Sequence, residues 1–323
     1  MEAKVNDKTV RVTWIDVAKG IGIILVMYTH IEGPHKRLFH MFVVQLFFVL
    51  SGFVFNPQKV KKNCLRLIKQ SLLFCSLATI IYSTYSNFSI TYLISFLGGG
   101  AASRFVFDPA KAYWFISCLI CTEILMSLIC KLFIDRKLMY YVMIFVTALS
   151  GFMLSKYNHY SIPWNMDIAI ICMPFFLCGF LFFEEVSSFV SSRAAKIQVL
   201  KGVLLCVCVL TLMVGYKKLR LVNLFRNDYA GNPLLMYACS FAGVIAVIII
   251  GELIARNRFF ARLFSKIGRN TIPILLLHQS IFVGIDHYNG KKWMKVVSTF
   301  ILTLVVLLKD VILDRINNTN KEV

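Results

Sequence analysis

The 323 residues are 58% hydrophobic and 14% aromatic, with 16% charged and a mean hydropathy of +0.72. That composition excludes an ordinary soluble domain, whose charged share is about 25%. The formal charge of +19 does not indicate nucleic acid, because the basic residues sit in short segments between apolar runs, as the positive-inside rule produces.

A bilayer-crossing helix needs roughly 17–25 apolar residues. Runs that meet this need predict ten transmembrane helices, at 14–30, 38–56, 67–84, 112–134, 138–155, 166–183, 198–216, 233–255, 271–287 and 294–313. The fold class is therefore an all-α integral membrane bundle. It forms one domain over 1–323, with a polar cytoplasmic N-terminus at 1–13, the bundle at 14–313 and a cytoplasmic tail at 314–323. Segment 88–98 is apolar but short and ends at Gly98-Gly99-Gly100, so it reads as a re-entrant or interfacial piece. No secretory signal, internal repeat or appended soluble domain is evident.

The first run holds three ionisable residues, Asp16, Lys19 and His30. Charge at the bilayer centre costs about 2.5–3.5 kcal/mol per residue on insertion scales, so such residues mark function by default. Lys19 and His30 are separated by three helical turns plus about 20°, or about 16 Å along the axis. They share one face, and Asp16 lies one turn before Lys19, within pairing reach. Taken singly, Lys19 also reads as a snorkelling lysine and His30 as an interfacial histidine. Together on one face they read as a site.

The stretch RVTWIDVAKGIGIILVMYTH, with a basic residue, ten positions and then His on the first span, resembles the opening of bacterial acyltransferase family 3 enzymes, in their fucose 4-O-acetylase-like branch. Phe39-His40-Met41 followed by Leu46-Phe47-Phe48-Val49-Leu50-Ser51-Gly52-Phe53 resembles the family's FHMPLFFFLSGF, here with extra residues and without the proline. Trp114-Phe115-Ile116, Asp167 with Pro174-Phe175-Phe176-Leu177-Cys178-Gly179, Gly231-Asn232-Pro233, and Ile267-Gly268-Arg269-Asn270 with Leu275-Leu276-Leu277-His278 continue the likeness in order. In the second inner loop Arg66 stands for one of two family arginines and Lys62, shifted by one position, for the other.

The resemblance implies ten spans, a cytosolic acyl-CoA donor (acetyl-CoA by family habit) and a glycan or lipid-linked sugar acceptor. Acyl transfer to a hydroxyl uses a base or an acyl-carrying nucleophile, and imidazole suits either role. His30 is the expected catalytic group. Asp167, at His30's depth, is expected to orient that imidazole or to bind sugar hydroxyls. Arg11, Lys19, Lys62 and Arg66 are the expected cations for the CoA phosphates. Trp114, Glu123, Asn232 and His278 are the expected acceptor-binding residues.

No metal is expected. Cys118 and Cys121 form a C-x-x-C without a second pair at zinc spacing. The ten cysteines read as small apolar packing residues. Without the resemblance, intramembrane Lys, His, Asp and Glu also fit a proton-coupled transporter or a flippase for lipid-linked sugars.

With the N-terminus inside, the inner segments hold Lys59, Lys61, Lys62, Arg66 and Lys69, then Lys131, Arg136 and Lys137, then Arg193, Lys196 and Lys201, then Arg256, Arg258, Arg262, Lys266 and Arg269. The bias puts both termini in the cytoplasm of a bacterial plasma membrane. Reporter fusions at Phe225 and Gly290 are predicted to read as external; a cytoplasmic signal at either contradicts this topology.

Overall fold

The computed structural model describes residues 12–31, 33–87, 94, 96–100, 112–134, 136–157, 162–226 and 228–319, with side chains as far as 309. Arg11 and most of segment 88–98 lie outside them. At the end of that segment Gly98–Gly100 form a turn, with φ near +75° at Gly99 and Gly100.

The described chain is helical: α1 (Thr13–His30), α2 (Lys36–His40), α3 (Val43–Phe53), α4 (Val60–Ser83), α5 (Tyr113–Leu132), α6 (Lys137–Tyr157), α7 (Met166–Leu181), α8 (Phe183–Ser191), α9 (Ala195–Lys218), α10 (Pro233–Ala255), α11 (Arg258–Arg269), α12 (Thr271–His287) and α13 (Lys292–Thr319). Seven segments are long and apolar enough to cross a bilayer: Lys36–Phe53, Pro57–Ser83, Tyr113–Leu132, Lys137–Tyr157, Pro163–Leu181, Ala195–Lys218 and Pro233–Ala255. The other three expected spans are the helices α1, α12 and α13. The first two are short, at 18 and 17 residues, and α13 carries charge at its start in Lys292 and Lys295.

Helix α1 is the hub. It packs against α3, α10, α11 and α12, and most of its side chains are buried. A helix wrapped on so many sides can carry Asp16 and Lys19, because protein rather than lipid surrounds them. Around it, α3 packs on α7, α7 on α5 and α6, and α4 bridges α5 and α12. Helices α6, α9 and α13 turn many large apolar side chains outward, Phe145, Leu210 and Phe300 among them. In a membrane protein these are the lipid-facing surface.

Two features were not foreseen from sequence. The basic stretch after α10, read as a plain inner loop, is helix α11. Asn257 caps it, its Oδ1 accepting from the Phe259 and Phe260 amides at 3.0 and 3.2 Å. The run 38–56 is broken at Met41–Phe42 into α2 and α3. The Met41 carbonyl freed there accepts from Ser240 Oγ at 2.6 Å, and Gln45 Nε2 donates to the same hydroxyl at 3.1 Å. Buried Gln45 and Ser240 thus satisfy the break inside the bundle.

Two helix crossings depend on glycine. A Cβ at Gly20 would overlap the Phe264 carbonyl oxygen, and one at Gly268 would overlap that of Asp16, so α1 and α11 meet backbone to backbone. Gly52 and Gly179 make the same reciprocal contact between α3 and α7, against Phe176 and Val49. Such small-residue seams let membrane helices gain close packing. Gly179→Val is therefore predicted to lower the thermal midpoint in detergent by roughly 5 °C or more, since overpacking costs about 1–3 kcal/mol. Gly202→Val, where a Cβ meets nothing within 4 Å, serves as the control. Equal midpoints for the two variants would contradict the crossing.

Candidate active site

A cavity of about 400 Å³ runs through the bundle between α1, α3, α4, α5 and α12. That is within the roughly 300–1,000 Å³ range of small-molecule sites. One end holds Asp16, Lys19, Asn63, Arg66, Glu123 and Arg269. Asp16 Oδ2 lies 3.7 Å from Arg269 Nε. Glu123, buried on α5, hydrogen-bonds Asn63 and faces the charges of Arg66 and Lys19. The middle is apolar, with Ile23, Val26, Phe47 and Leu119 as walls. The far end holds His30, His40, Trp114, Phe225 and Gln279.

Continuous helix carries α1 from Lys19 to His30, so the periodicity that puts them on one face also puts both on the cavity wall. His30 Nε2 lies 3.3 Å from Gln279 Nε2. An amide nitrogen only donates, so this contact suits a His30 whose Nε2 carries the lone pair. The His278 ring stands behind, its centroid 5.1 Å from that of His30. His278 is fully buried and its Nδ1 lies 3.1 Å from the Ile274 carbonyl. A carbonyl accepts, which fixes the His278 proton on Nδ1. Trp114 is half-buried and packs on Phe225, with centroids 5.1 Å apart.

Among the residues proposed from sequence, Lys19, His30, Arg66, Trp114 and Glu123 line this cavity. Four others do not. His278 supports the His30 ring from outside the lining. Lys62 is exposed near the start of α4, one turn before Arg66. Asn232 is exposed and caps α10, its Oδ1 accepting from the Leu235 amide at 3.0 Å. That local bond takes up Oδ1, and Asn232 is not among the lining residues. Asp167 is fully buried in α7, electrostatically close to Cys118 of α5, and is not among the lining residues. The side chain placed against His30 is Gln279 rather than Asp167. The reason is rotational: the segment before α7 turns through left-handed residues at Trp164 and Asn165. Asn165 Nδ2 is bound to the Gly99 carbonyl at 2.8 Å and to Ser117 Oγ at 2.9 Å. This fixes the first turn of α7, and Asp167 with it, against α5.

Sequence reasoning missed Gln279, His40, Asn63 and the Asp16–Arg269 pair. Gln279 directly follows His278, and His40 stands in the Phe39-His40-Met41 stretch. Arg269 was read only as positive-inside charge. Asn63 had no signal beyond its place one turn before Leu67 on the inward face of α4. Among the described residues, no group of three His, Cys, Asp or Glu side chains is placed to hold a metal ion.

The arrangement has a plain chemical sense. Three cations and two carboxylates form one polar end. An apolar passage follows, and an imidazole with an amide partner stands at the other end. Such a site admits a ligand with a charged head and a thin arm that reaches the histidine.

A family model described as an acyltransferase domain matches residues 12–308. No curated protein and no solved structure matches the chain. The matched span begins just before α1 and ends within α13, so it takes in every helix that lines the cavity. The chain belongs to acyltransferase family 3 and is a multi-pass membrane acyltransferase.

Proposed function

We propose that the protein is an O-acetyltransferase, moving an acetyl group from cytosolic acetyl-CoA to a hydroxyl of a cell-surface polysaccharide or its lipid-linked precursor. The observation that carries this reading is one continuous cavity with Lys19 at one end and His30 at the other. With the N-terminus inside, the Lys19 end faces the cytoplasm. Lys19, Arg66 and Arg269 there supply charge for the CoA phosphates, and exposed Lys62, one turn from Arg66, extends that charge beyond the cavity. Arg11, which lies outside the described residues, is proposed as a further phosphate contact only from its place just before α1 in the sequence. Glu123 lies at the donor end, not with the acceptor as first expected. Its buried carboxylate keeps Arg66 and Lys19 facing inward and is placed to accept amide protons from the donor's arm.

The apolar middle suits a pantetheine arm. At the outer end the acceptor hydroxyl gives its proton to His30 as its oxygen bonds to the thioester carbonyl carbon. The carbon–sulfur bond then breaks, and the thiolate leaves and takes up a proton. A covalent acyl-histidine uses the same imidazole lone pair first on the carbonyl carbon, with the acceptor hydroxyl displacing it second. In both versions the Gln279 amide, which donates to His30 Nε2 in the resting site, gives up that contact as the lone pair is used, and Trp114 offers a face on which a sugar ring stacks.

Two outcomes test this. Lys19→Ala is predicted to raise the apparent KM for acetyl-CoA about tenfold, the effect of losing a charge-assisted contact worth roughly 1.5 kcal/mol, and Lys19→Arg to recover part of it. An unchanged donor KM in a folded Lys19→Ala protein would reduce the lysine to a headgroup anchor. His30→Ala and His30→Gln are predicted to insert normally and to lose transfer by about 100-fold or more. His35→Ala should lose far less, because His35 is exposed and bound to Tyr216 Oη at 3.1 Å. The readout is labelled acetyl transfer in membranes matched for protein level, and near-normal transfer by His30→Gln excludes both proton transfer and acyl carriage.

A further inference from the structure

The segment between α9 and α10 forms part of the wall at the His30 end of the cavity. Val222, Asn223, Leu224 and Phe225 line it there. The segment is tied down on both sides. Arg37 of α2 donates to the Tyr216 carbonyl and, at 3.0 Å, to the Leu219 carbonyl. Asn223 and Asp228 form an isolated bridge, with amide-to-carbonyl distances of 3.0 and 2.9 Å. Lys217, Lys218 and Arg220 precede the lining residues, and Arg226 directly follows them. All four are exposed. Among the described residues, none of the four side chains makes a hydrogen bond or ion pair with the protein. The nearby Asp228 carboxylate is engaged, accepting from the Ala230 amide at 2.7 Å.

These cations run against the bias that orients the chain. Basic residues concentrate on the cytoplasmic side of membrane proteins, and the reading that places His30 at the outer end places this rim outside. They do not stabilise the segment either, since Arg37 and the Asn223–Asp228 bridge hold it. What the four do have is position: they do not line the cavity, but in sequence they flank on both sides the residues that line its acceptor end. Like charges around a cleft with low-dielectric walls focus potential into its mouth and raise the local concentration of an oppositely charged ligand.

We propose that this rim binds an anionic acceptor, a glycan that presents phosphate or carboxylate near the hydroxyl to be acylated. The anion is either a group on the sugar itself or the diphosphate of its lipid carrier. Lys217, Lys218, Arg220 and Arg226 hold the charge while Trp114 takes a sugar face and the hydroxyl reaches His30. This deepens the acyl-transfer reading and rests on it for the direction in which the acceptor arrives.

The test measures binding alone. The His30→Gln protein is purified into nanodiscs of zwitterionic lipid and given tetragalacturonic acid, a neutral disaccharide on polyprenyl diphosphate, and maltotetraose. At least one anionic probe is expected to bind more tightly than maltotetraose, with affinity falling as salt rises from about 50 to 300 mM. Replacing Lys217, Lys218, Arg220 and Arg226 together by Gln is expected to weaken that probe about tenfold, the sum of four exposed charge contacts, and to flatten its salt dependence. Maltotetraose binding should not change. Rim-dependent binding of the galacturonide assigns the anion to the glycan, and of the diphosphate to the carrier. Equal binding of all three probes, or anion binding that survives the four replacements or is absent throughout, overturns the proposal. Because no transfer is measured, the outcome is independent of whether His30 variants lose activity.

Discussion

The structure depends on one constraint: an ionisable helix must be kept away from lipid. Helix α1 carries Asp16, Lys19 and His30, each costly where hydrocarbon surrounds it. The bundle answers by placing α1 at its centre and packing α3, α10, α11 and α12 against it. The tightest of these approaches is by α11, whose Gly268 meets the Asp16 carbonyl while Gly20 meets that of Phe264. That contact also brings Arg269 to Asp16. One seam therefore shields the α1 backbone and completes the cationic end of the cavity.

The rest of the site follows from what surrounds α1. The break between α2 and α3 is held by Gln45 and Ser240, and it lets His40 reach the cavity wall. Helix α12 brings Gln279 to His30 and sets the tilted His278 ring behind it. Helices α4 and α5 together supply Asn63, Arg66, Glu123 and Trp114. Apart from His40, none of these side chains is close to α1 in sequence. Close packing of the seams fixes their distances from it, so a loosened crossing between α3 and α7 reaches the site through Phe47 and Phe115, whose rings meet at 5.8 Å.

Much of this was legible in the sequence, and the limit is physical. Hydrophobic runs located the helices because apolar length is a strong, local signal. The 3.6-residue period located Lys19 and His30 on one face, since both lie on one unbroken helix. Residues on different helices were harder. Asp167 was matched to His30 by depth alone, but depth leaves rotation about the helix axis undetermined. The left-handed turn at Trp164 and Asn165 sets that rotation toward α5. Asn232 was carried over from the family resemblance, although the expected span 233–255 already placed it at a cap position; the bond to the Leu235 amide is what the structure adds. Helix α11 was hidden because its basic residues carry the same signal as a positive-inside loop, and only packing on α1 distinguishes the two.

The central claim is that donor and acceptor enter one cavity from opposite ends and meet at His30. Sealed right-side-out vesicles test it most directly. Labelled acetyl-CoA is loaded into the lumen, and de-O-acetylated surface glycan is supplied outside. The account predicts label on the external glycan, and none when both substrates are outside. Transfer that requires donor and acceptor in the same compartment would contradict it.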